Sequence, residues 1–257
     1  MLVHYIYVPH NICSLHSIYR KGAFDHFDTI FCVGPHHVNE IKTIERIYNL
    51  NSKLLLEYGY GKIDYLIKNH TYFKNKINKI IKFLIAPSWG ENCIIENGKV
   101  IDVIDSLISQ GHNVTLRPHP ITVRNSVKKI NKIIDKYKNL ELFTYAPNTD
   151  NNEIFYESDV LISDWSGAAY EFALALEKPV LFVDTPRKII NTEYDKIGLD
   201  AFEDYSRWLV GEFFNPMKKY TLDNINKVSK KFVNKQIFSL NSSSKVACKY
   251  ISELIQN

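Results

Sequence analysis

The sequence predicts an α/β fold built on parallel β-sheets, and three observations indicate it. The middle of the chain alternates short apolar runs with stretches whose apolar residues recur at helical spacing. Prolines and glycines such as Pro87 and Gly111 punctuate the ends of these stretches. Polar and cationic residues follow several of the apolar runs, at the carboxyl ends of the predicted strands. Ligands of open parallel sheets collect at that edge, so it is where we look for a site.

Between residues 80 and 190 each element has its own signal. Ile81–Ala86 is a compact apolar run that ends at Pro87, as in a buried parallel strand. An amphipathic helical pattern follows and ends at Gly111, which is typical of a C-terminal cap. The next elements are predicted as strand Asn113–Leu116, a basic helix at about Val123–Tyr137, strands Leu140–Tyr145 and Val160–Ile162, a helix through Ala169–Leu176, and strand Pro179–Val183.

The first 70 residues predict part of a second α/β unit, short for an independent nucleotide-binding domain. Tyr58-Gly59-Tyr60-Gly61 is interpreted as the crossing between two lobes. We therefore expect a partial N-terminal α/β lobe over 1–70, a Rossmann-like lobe over 71–220, and C-terminal helices over 221–257 that pack back on the lobes. The predicted elements of the first lobe are strands Leu2–Val8, Thr29–Val33 and Lys53–Tyr58 and helix His36–Asn49.

Composition narrows the functional class. Hydrophobic residues make up 45% and charged residues 23% of the chain, and the formal net charge is +4. This mild basicity suits an anionic ligand or an anionic membrane surface and is too weak to indicate nucleic acid. No apolar run approaches the roughly 20 residues that span a bilayer. We expect a soluble, cytoplasmic protein that can still associate peripherally with the inner face of a membrane. The four cysteines are far apart and indicate reduced thiols.

The segment from Ser163 to Glu171 is the strongest candidate site, because a buried strand turns into a helix there. The small residues Ser166, Gly167 and Ala168 leave main-chain N–H groups approachable, and the start of the helix favours a phosphate. Asp164 is a further candidate for donor binding, and Glu171 could accept the hydroxyls of a ribose. The alternative is that Asp164 or Ser166 is an ordinary helix cap and that the small residues only allow close packing.

A second candidate is Arg117-Pro118-His119-Pro120, where prolines hold a cationic pair at the end of a strand. Arginine makes forked hydrogen bonds to phosphate, and histidine offers one directed N–H. The alternative is a structural turn with a surface histidine. Ser88, in the loop that ends the first strand of this lobe, could also contact phosphate, although an ordinary turn explains it equally well.

In the first lobe, His10 follows a predicted strand, and His16 lies six residues further on. A neutral histidine is the commonest general base for a hydroxyl nucleophile, although most histidines are structural. No dense set of carboxylates or D-x-D pair indicates a metal site, and no cofactor is expected. Phosphate-binding lysine loops, dinucleotide fingerprints and G-x-S-x-G elbows are missing from the sequence.

Three segments together resemble the CDP-glycerol glycerophosphotransferases of teichoic-acid and capsule synthesis. They are Arg117-Pro118-His119-Pro120, the run from Ser158 to Gly167, and Glu177-Lys178-Pro179-Val180-Leu181-Phe182. Gly59-Tyr60-Gly61-Lys62-Ile63-Asp64 is similar to the family's Gly-Tyr-Pro-Arg-x-Asp segment, with Gly61 and Lys62 in place of Pro and Arg.

The resemblance implies a GT-B-like architecture, with a donor-binding C-terminal lobe and an acceptor-side N-terminal lobe. It implies transfer of glycerol phosphate, or a related alditol phosphate, from a CDP-linked donor to a hydroxyl of a surface polymer or glycolipid, without a metal. His119 would hold the diphosphate or assist the leaving CMP, and Ser166 and Gly167 would cradle phosphate. The family's N-lobe histidine has its nearest match in His10. Two alternatives stay open: a glycosyltransferase or epimerase-like enzyme that uses a UDP- or CMP-sugar, and an inactive nucleotide-binding scaffold.

Overall fold

A computed structural model describes residues 3–70, 80–148, 152–228 and 230–256. The chain divides into two compact units. The first contains residues 1–68, 189–206 and 229–257, and the second contains residues 69–188 and 207–228. Residues 189–206 therefore belong to the first unit, whereas the sequence places them in the nucleotide-binding lobe.

The second unit is built on a six-stranded parallel sheet. Its strands are β4 (Lys82–Ile85), β5 (Asn113–Leu116), β6 (Phe143–Tyr145), β7 (Val160–Ser163), β8 (Val180–Phe182) and β9 (Glu212–Phe213), in the spatial order β6-β5-β4-β7-β8-β9. The central strands β4 and β7 are almost wholly apolar and buried, which fits a sheet that is covered on both faces. The order reverses direction at β4 and β7, and this is the switch point at which open α/β sheets bind ligands.

The helices that lie between these strands in the sequence are α4 (Lys99–Ser109), α5 (Pro120–Asn125), α6 (Val127–Tyr137), α7 (Glu153–Glu157), α8 (Gly167–Leu176) and α10 (Phe202–Val210), of which α10 belongs to this unit from residue 207 onward. Apolar residues of α4, α6 and α8 are buried in this unit. Val100, Val103, Ile104 and Leu107 of α4 are all buried and join the core around Phe83. α8 is buried along almost its whole length, because its small and apolar residues pack close to the sheet.

The first unit has a three-stranded parallel sheet in the order β1-β2-β3. Its strands are β1 (Ile6–Tyr7), β2 (Thr29–Cys32) and β3 (Leu54–Glu57), and its helices include α1 (Leu15–Ile18), α2 (Pro35–Tyr48), α3 (Gly61–His70) and α9 (Tyr194–Ile197). The central strand β2 is fully buried. It packs in a core with Leu15, Phe24 and Ile41.

The C-terminal segment, α11 (Lys230–Gln236) and α12 (Ser243–Gln256), belongs to the first unit. The main-chain N–H of Phe238 donates to the carbonyl of Val33 at 2.9 Å. Asp64 accepts hydrogen bonds from the N–H groups of Asn241 and Ser243 at 2.7 and 2.9 Å. The Gly59–Asp64 segment thus begins α3 and anchors the C-terminal helix through Asp64.

The predicted parallel-sheet α/β class is confirmed, and so are most of the predicted strands and helices. Three predicted boundaries are wrong. The helix predicted over Val123–Tyr137 is two helices, because the backbone leaves the helical region at Ser126. Turns occupy the start of the strand predicted at Leu140–Tyr145. The first strand is shorter than Leu2–Val8, and its first predicted residue lies outside the described residues.

Candidate active site

Three loops of the second unit leave adjacent strands at one level of the sheet. In the register of the sheet Ile85 pairs with Leu116 on one side and with Ile162 on the other. The main-chain N–H of Arg117 donates to the carbonyl of Ile85 at 2.8 Å, and that of Ala86 donates to Ile162 at 2.9 Å. The loops that follow β4, β5 and β7 therefore start side by side, as the sequence predicts for the carboxyl edge.

Asp164 ties two of these loops together. Its Oδ1 accepts hydrogen bonds from the N–H groups of Ser88 and Trp165, both at 2.7 Å, and its Oδ2 accepts one from Ile94 at 3.0 Å. The side chain is fully buried. The sequence predicts a donor contact for Asp164, but both oxygens are engaged within the protein. We therefore assign Asp164 to holding the loops in place, and not to touching a ligand.

The start of α8 has the predicted form. Ser166 is the N-cap, and its Oγ accepts a hydrogen bond from the N–H of Ala168 at 3.3 Å. Its hydroxyl hydrogen can still be donated to another acceptor. Ser166, Gly167 and Ala168 are half-buried, whereas the helix behind them is buried. The electropositive end of α8 is therefore the part of the helix that a ligand can reach.

Arg117 and Glu171 lie close enough to interact electrostatically. Arg117 is only 7% exposed, its guanidinium lies 4.4 Å from the ring centre of Phe155, and its Nη1 has no hydrogen-bond partner among the described residues. Burial lowers the pKa of Arg117, and the negative charge of Glu171 opposes that shift. Glu171 is itself 4% exposed, so its predicted contact with a ribose stays a prediction. Ser88 is buried as well.

His119 has one ring nitrogen engaged and one open. It is the N-cap of α5, and its Nδ1 accepts a hydrogen bond from the N–H of Ile121 at 3.1 Å. The hydrogen of the neutral ring must then sit on Nε2. Burial, aided by the positive charge of Lys188, lowers the pKa of His119 to about 4. At neutral pH His119 is therefore an uncharged donor whose Nε2–H has no protein partner among the described residues.

Two further residues of this site give no motif signal in the sequence. The ammonium of Lys188 lies 4.0 Å from the ring centre of Trp89, and the Trp89 ring lies 6.1 Å from that of His119. Lys188 follows β8, so a fourth strand end contributes a cation beside His119. Because lysine is abundant in this sequence, the residue type alone does not mark Lys188 as part of a site. Its position a few residues after a predicted strand is the feature that could indicate it.

Arg207 is the second such residue. Its guanidinium stacks 3.5 Å from the ring centre of Trp165, and the indole N–H of Trp165 donates to the carbonyl of Thr185 at 3.1 Å. Trp165 is held between the loop after β8 and a residue that is 42 positions away in the sequence. These contacts fix the residue that directly precedes the Ser166 cap.

His10 belongs to the first unit and is exposed. Its Nδ1 lies 3.3 Å from the hydroxyl of Tyr19, and its Nε2 lies 3.4 Å from the amide nitrogen of Asn11. Its role as base stays a prediction.

The same unit also contains a buried pair, His16 and Glu40, with Nδ1 and Oε2 separated by 3.3 Å. Burial lowers the pKa of His16, but Glu40, together with the carbonyl of Leu199 and the charge of Glu203, raises it above its ordinary value. The sequence does not predict that His16 and Glu40 form a pair, because they lie on different helices.

Two general properties follow from the described residues alone. Within them, no group of three or more histidine, cysteine, aspartate or glutamate side chains could hold a metal ion. None of the helices in these ranges is both long enough and apolar enough to pass through a bilayer.

Two units, each built on a parallel sheet, define a GT-B-like α/β protein. The sequence assigns it further. The family model for CDP-Glycerol:Poly(glycerophosphate) glycerophosphotransferase matches residues 22–235, and the chain belongs to that family. The predicted family is thereby confirmed.

Several known proteins are similar to this chain. Teichoic acid poly(glycerol phosphate) polymerase of Bacillus spizizenii is 33% identical over 146 residues, which are 51% of this chain and 35% of the polymerase. The chain thus spans about a third of that relative's length. The wall teichoic acid polymerase TagF shares the fold at 18% identity with a TM-score of 0.58, over 98% of this chain and 68% of TagF. A UDP-GlcNAc 2-epimerase of Methanocaldococcus jannaschii has a TM-score of 0.55 at 12% identity, over 88% and 61% of the two chains.

Proposed function

We propose that this chain transfers a glycerol-phosphate or related alditol-phosphate group from a CDP-linked donor to a hydroxyl of a surface polymer or glycolipid. Membership of the glycerophosphotransferase family supports the reaction class. One observation supports this site for the reaction. Arg117, His119, Lys188 and the start of α8 all follow strands of a single sheet, and together they offer hydrogen-bond donors and positive charge that suit a diphosphate.

In the proposed reaction these residues stabilise the negative charge that develops on the phosphate groups. The acceptor hydroxyl attacks the β-phosphorus, the bond from that phosphorus to CMP breaks, and negative charge develops on the equatorial oxygens and on CMP. His119 donates its Nε2–H to the diphosphate without needing a charge of its own. Arg117 supplies the buried Nη1 that has no hydrogen-bond partner among the described residues. Such preorganised donors usually make the largest catalytic contribution.

For the base that removes the hydroxyl proton we propose His10, whose ring is exposed. His16 has a carboxylate partner, Glu40, which raises the basicity of an imidazole, but it is fully buried and its Nε2 faces the carbonyl of Leu199, so it serves as the comparison. Glutamine replacements test the two: the variant of the true base should lose transfer to the acceptor but keep donor binding. If both variants transferred at the rate of the unchanged protein, neither histidine would be the base.

We further propose that the reaction takes place at the cytoplasmic face of the cell membrane, with the protein attached peripherally. The donor is a soluble nucleotide, and the acceptor grows on the cell surface. Co-sedimentation of the purified chain with vesicles of membrane lipids would test the attachment, and recovery of all the protein in the supernatant would contradict it.

The donor is tested directly with a panel of CDP-glycerol, a UDP-sugar and a CMP-sugar. We expect CDP-glycerol to raise the melting temperature most and to yield CMP when an acceptor polymer is added. UDP released from a UDP-sugar would support a glycosyltransferase or epimerase-like enzyme. Tight binding of CDP-glycerol without turnover would support a scaffold. A donor affinity that is unchanged by chelator is also expected, and a strict metal requirement for binding would contradict the metal-independent assignment.

A further inference from the structure

Lys178 is a buried charged residue that the proposed reaction does not use. It lies between α8 and β8, in one of the segments by which the sequence resembles its family. Only 5% of the residue is exposed. Lysine is almost never buried unless its ammonium has partners, because an ammonium without hydrogen bonds is costly inside a protein. The partners of Lys178 therefore indicate what it does.

These partners are main-chain carbonyls at the end of α7. The Nζ of Lys178 donates to the carbonyls of Tyr156 at 2.6 Å and Ser158 at 2.7 Å, and to that of Phe155 at 3.4 Å. The last carbonyls of a helix have no partner within the helix itself. An ammonium has three hydrogens and no acceptor, so a single lysine can satisfy three carbonyls. Lys178 thus caps the carboxyl end of α7.

The cap is charged at neutral pH. Burial lowers the pKa of Lys178 to about 8, and the negative charge of Asp159 opposes that shift. Hydrogen bonds from a charged donor are stronger than those between neutral groups. An uncharged side chain at this position would leave buried carbonyls without a donor, which is unfavourable. The end of α7 therefore depends on this one side chain.

Phe155 connects the capped helix to the donor site. Its ring is fully buried, and the guanidinium of Arg117 lies 4.4 Å from the ring centre. On α8, the buried ring of Phe172 packs edge-on against Phe155, with the ring centres 5.6 Å apart. The main chain of Phe155 is held by Lys178 and its ring by Phe172. Phe155 is therefore a fixed support for the guanidinium of Arg117.

From these contacts we propose that Lys178 is a positioning residue for Arg117. By capping α7 it holds Phe155 in place, and the Phe155 ring holds the guanidinium of Arg117 for the diphosphate of the donor. The proposal rests on the proposed function, which assigns Arg117 to donor binding. A guanidinium that is already held does not have to be ordered when the ligand binds, so the affinity for the ligand is higher.

The first test needs no donor. Hydrogens held over an aromatic ring resonate upfield, so the Nε–H signal of Arg117 in an NMR spectrum reports its contact with Phe155. The signal is assigned through its loss in Arg117→Ala. We expect Lys178→Met and Phe155→Leu each to move it toward the position of an unrestrained arginine. An unmoved signal in Lys178→Met would overturn the proposal.

Val103→Ala is the control for a general loss of stability. Val103 is buried in the core with α4, and its truncation leaves a cavity there without touching α7. The signal of Arg117 should keep its upfield position in this variant. The control separates a specific effect on Arg117 from the consequences of a weaker fold.

The second test measures the affinity for CDP-glycerol by calorimetry. Arg117→Ala should weaken binding about tenfold or more, because a charged hydrogen bond is lost. Lys178→Met and Phe155→Leu should each weaken it about fivefold, because Arg117 must then be ordered on binding. Neither should weaken it further when combined with Arg117→Ala, since residues that act through one another are not additive. A further fivefold loss from Lys178→Met in the Arg117→Ala background would overturn the proposal.

Phe155→Leu keeps the proposal testable if Lys178→Met does not fold, because it leaves the cap of α7 in place. An upfield Arg117 signal and an unchanged donor affinity in Phe155→Leu would then overturn it. Failure of the proposed function gives a different result. CDP-glycerol would bind equally well to Arg117→Ala, or not at all to the unchanged protein, while the Arg117 signal still responded to Lys178→Met.

Discussion

Two histidines of the first unit, His36 and His37, differ from His119 of the second unit in the groups that their ring nitrogens contact. His36 and His37 are buried, and each has its Nε2 against a main-chain carbonyl, of Ile12 at 2.9 Å and of Cys13 at 3.0 Å. The Nδ1 of His119 instead accepts a hydrogen bond from the main-chain N–H of Ile121, and its Nε2 has no partner among the described residues. In all three rings the hydrogen sits on Nε2, because a carbonyl only accepts and an N–H only donates.

The difference shows what distinguishes a functional histidine from a structural one. Burial lowers the pKa of His36 to about 3, and burial also lowers that of His119, to about 4. The protonation state at neutral pH is therefore the same in both. What differs is whether the Nε2–H is bonded to the protein's own backbone or has no partner among the described residues. An unused hydrogen-bond donor next to a cation, here Lys188, is the better indicator of a site.

The largest expected effect comes from removing the Nε2–H of His119. His119→Ala should lower turnover of CDP-glycerol about 10²- to 10³-fold, because one preorganised donor to the developing charge is lost. CMP release under saturating donor measures it. His26→Ala, which replaces an exposed histidine of the first unit, should leave the rate unchanged. An unchanged rate in the His119 variant would mean that its open N–H does not serve the reaction.

The next effect concerns the residue that holds the loops around His119. Asp164→Asn removes the negative charge and one of the two acceptor oxygens, and hydrogen bonds to charged groups are worth roughly 1.5–3 kcal/mol each. We expect the free energy of unfolding to fall by about 2–3 kcal/mol in urea denaturation. Asp28→Asn, at an exposed carboxylate that accepts from the N–H of Tyr5, should cost much less. Equal losses in both variants would contradict the structural role of Asp164.

The buried histidine His36 should make the free energy of unfolding depend on pH in acid solution. The folded state keeps His36 neutral down to a pKa of about 3, whereas the unfolded chain protonates near pH 6.5. The unfolded state therefore binds the proton first, and stability falls as pH drops below about 6.5, by up to about 1.4 kcal/mol per pH unit for this group. His36→Gln, whose amide can still donate to Ile12, should reduce that slope by one proton. His26→Gln serves as the control. Parallel slopes for His36→Gln and the unchanged protein would exclude this contribution.

The smallest expected effect sharpens the role of Lys188. Lys188→Met should raise the pKa of His119 toward its ordinary value, because a positive neighbour is removed. It should also weaken donor binding about fivefold, as a half-buried cation near the surface contributes roughly 1 kcal/mol. NMR titration of His119 and thermal shift with CDP-glycerol measure the two. Lys128→Met, at an exposed position of α6, is the control. A fall in the pKa of His119 would contradict the arrangement.

Much of the fold is predictable from the sequence, because buried parallel strands are continuous apolar runs. Val160–Ser163 and Asn113–Leu116 are found at or within one residue of their predicted bounds. The two-residue strand β9 is not predictable, because Glu212 and Phe213 have no periodicity of their own and take strand geometry from β8. The break at Ser126 is equally hidden, since apolar spacing continues across it.

The candidate site is predictable only in part. Arg117, His119 and Ser166 can be chosen because strand ends share an edge of the sheet. The internal use of Asp164 cannot be seen in the sequence, since a buried acceptor and a ligand contact call for the same residue type. Arg207 and Glu40 are missed for a simpler reason: each meets its partner, Trp165 or His16, only after the chain has folded.

The path of the chain between the units has a consequence for synthesis on the ribosome. The second unit is complete once residue 228 has emerged, whereas the first unit still lacks residues 229–257. The unit that starts first therefore finishes last. Until then its strand ends at Val33 and Glu57 lack the hydrogen bonds of Phe238 and Ser239. A nascent chain stalled with residue 228 just outside the ribosome should thus hold a protease-resistant six-stranded sheet and a protease-sensitive N-terminal half.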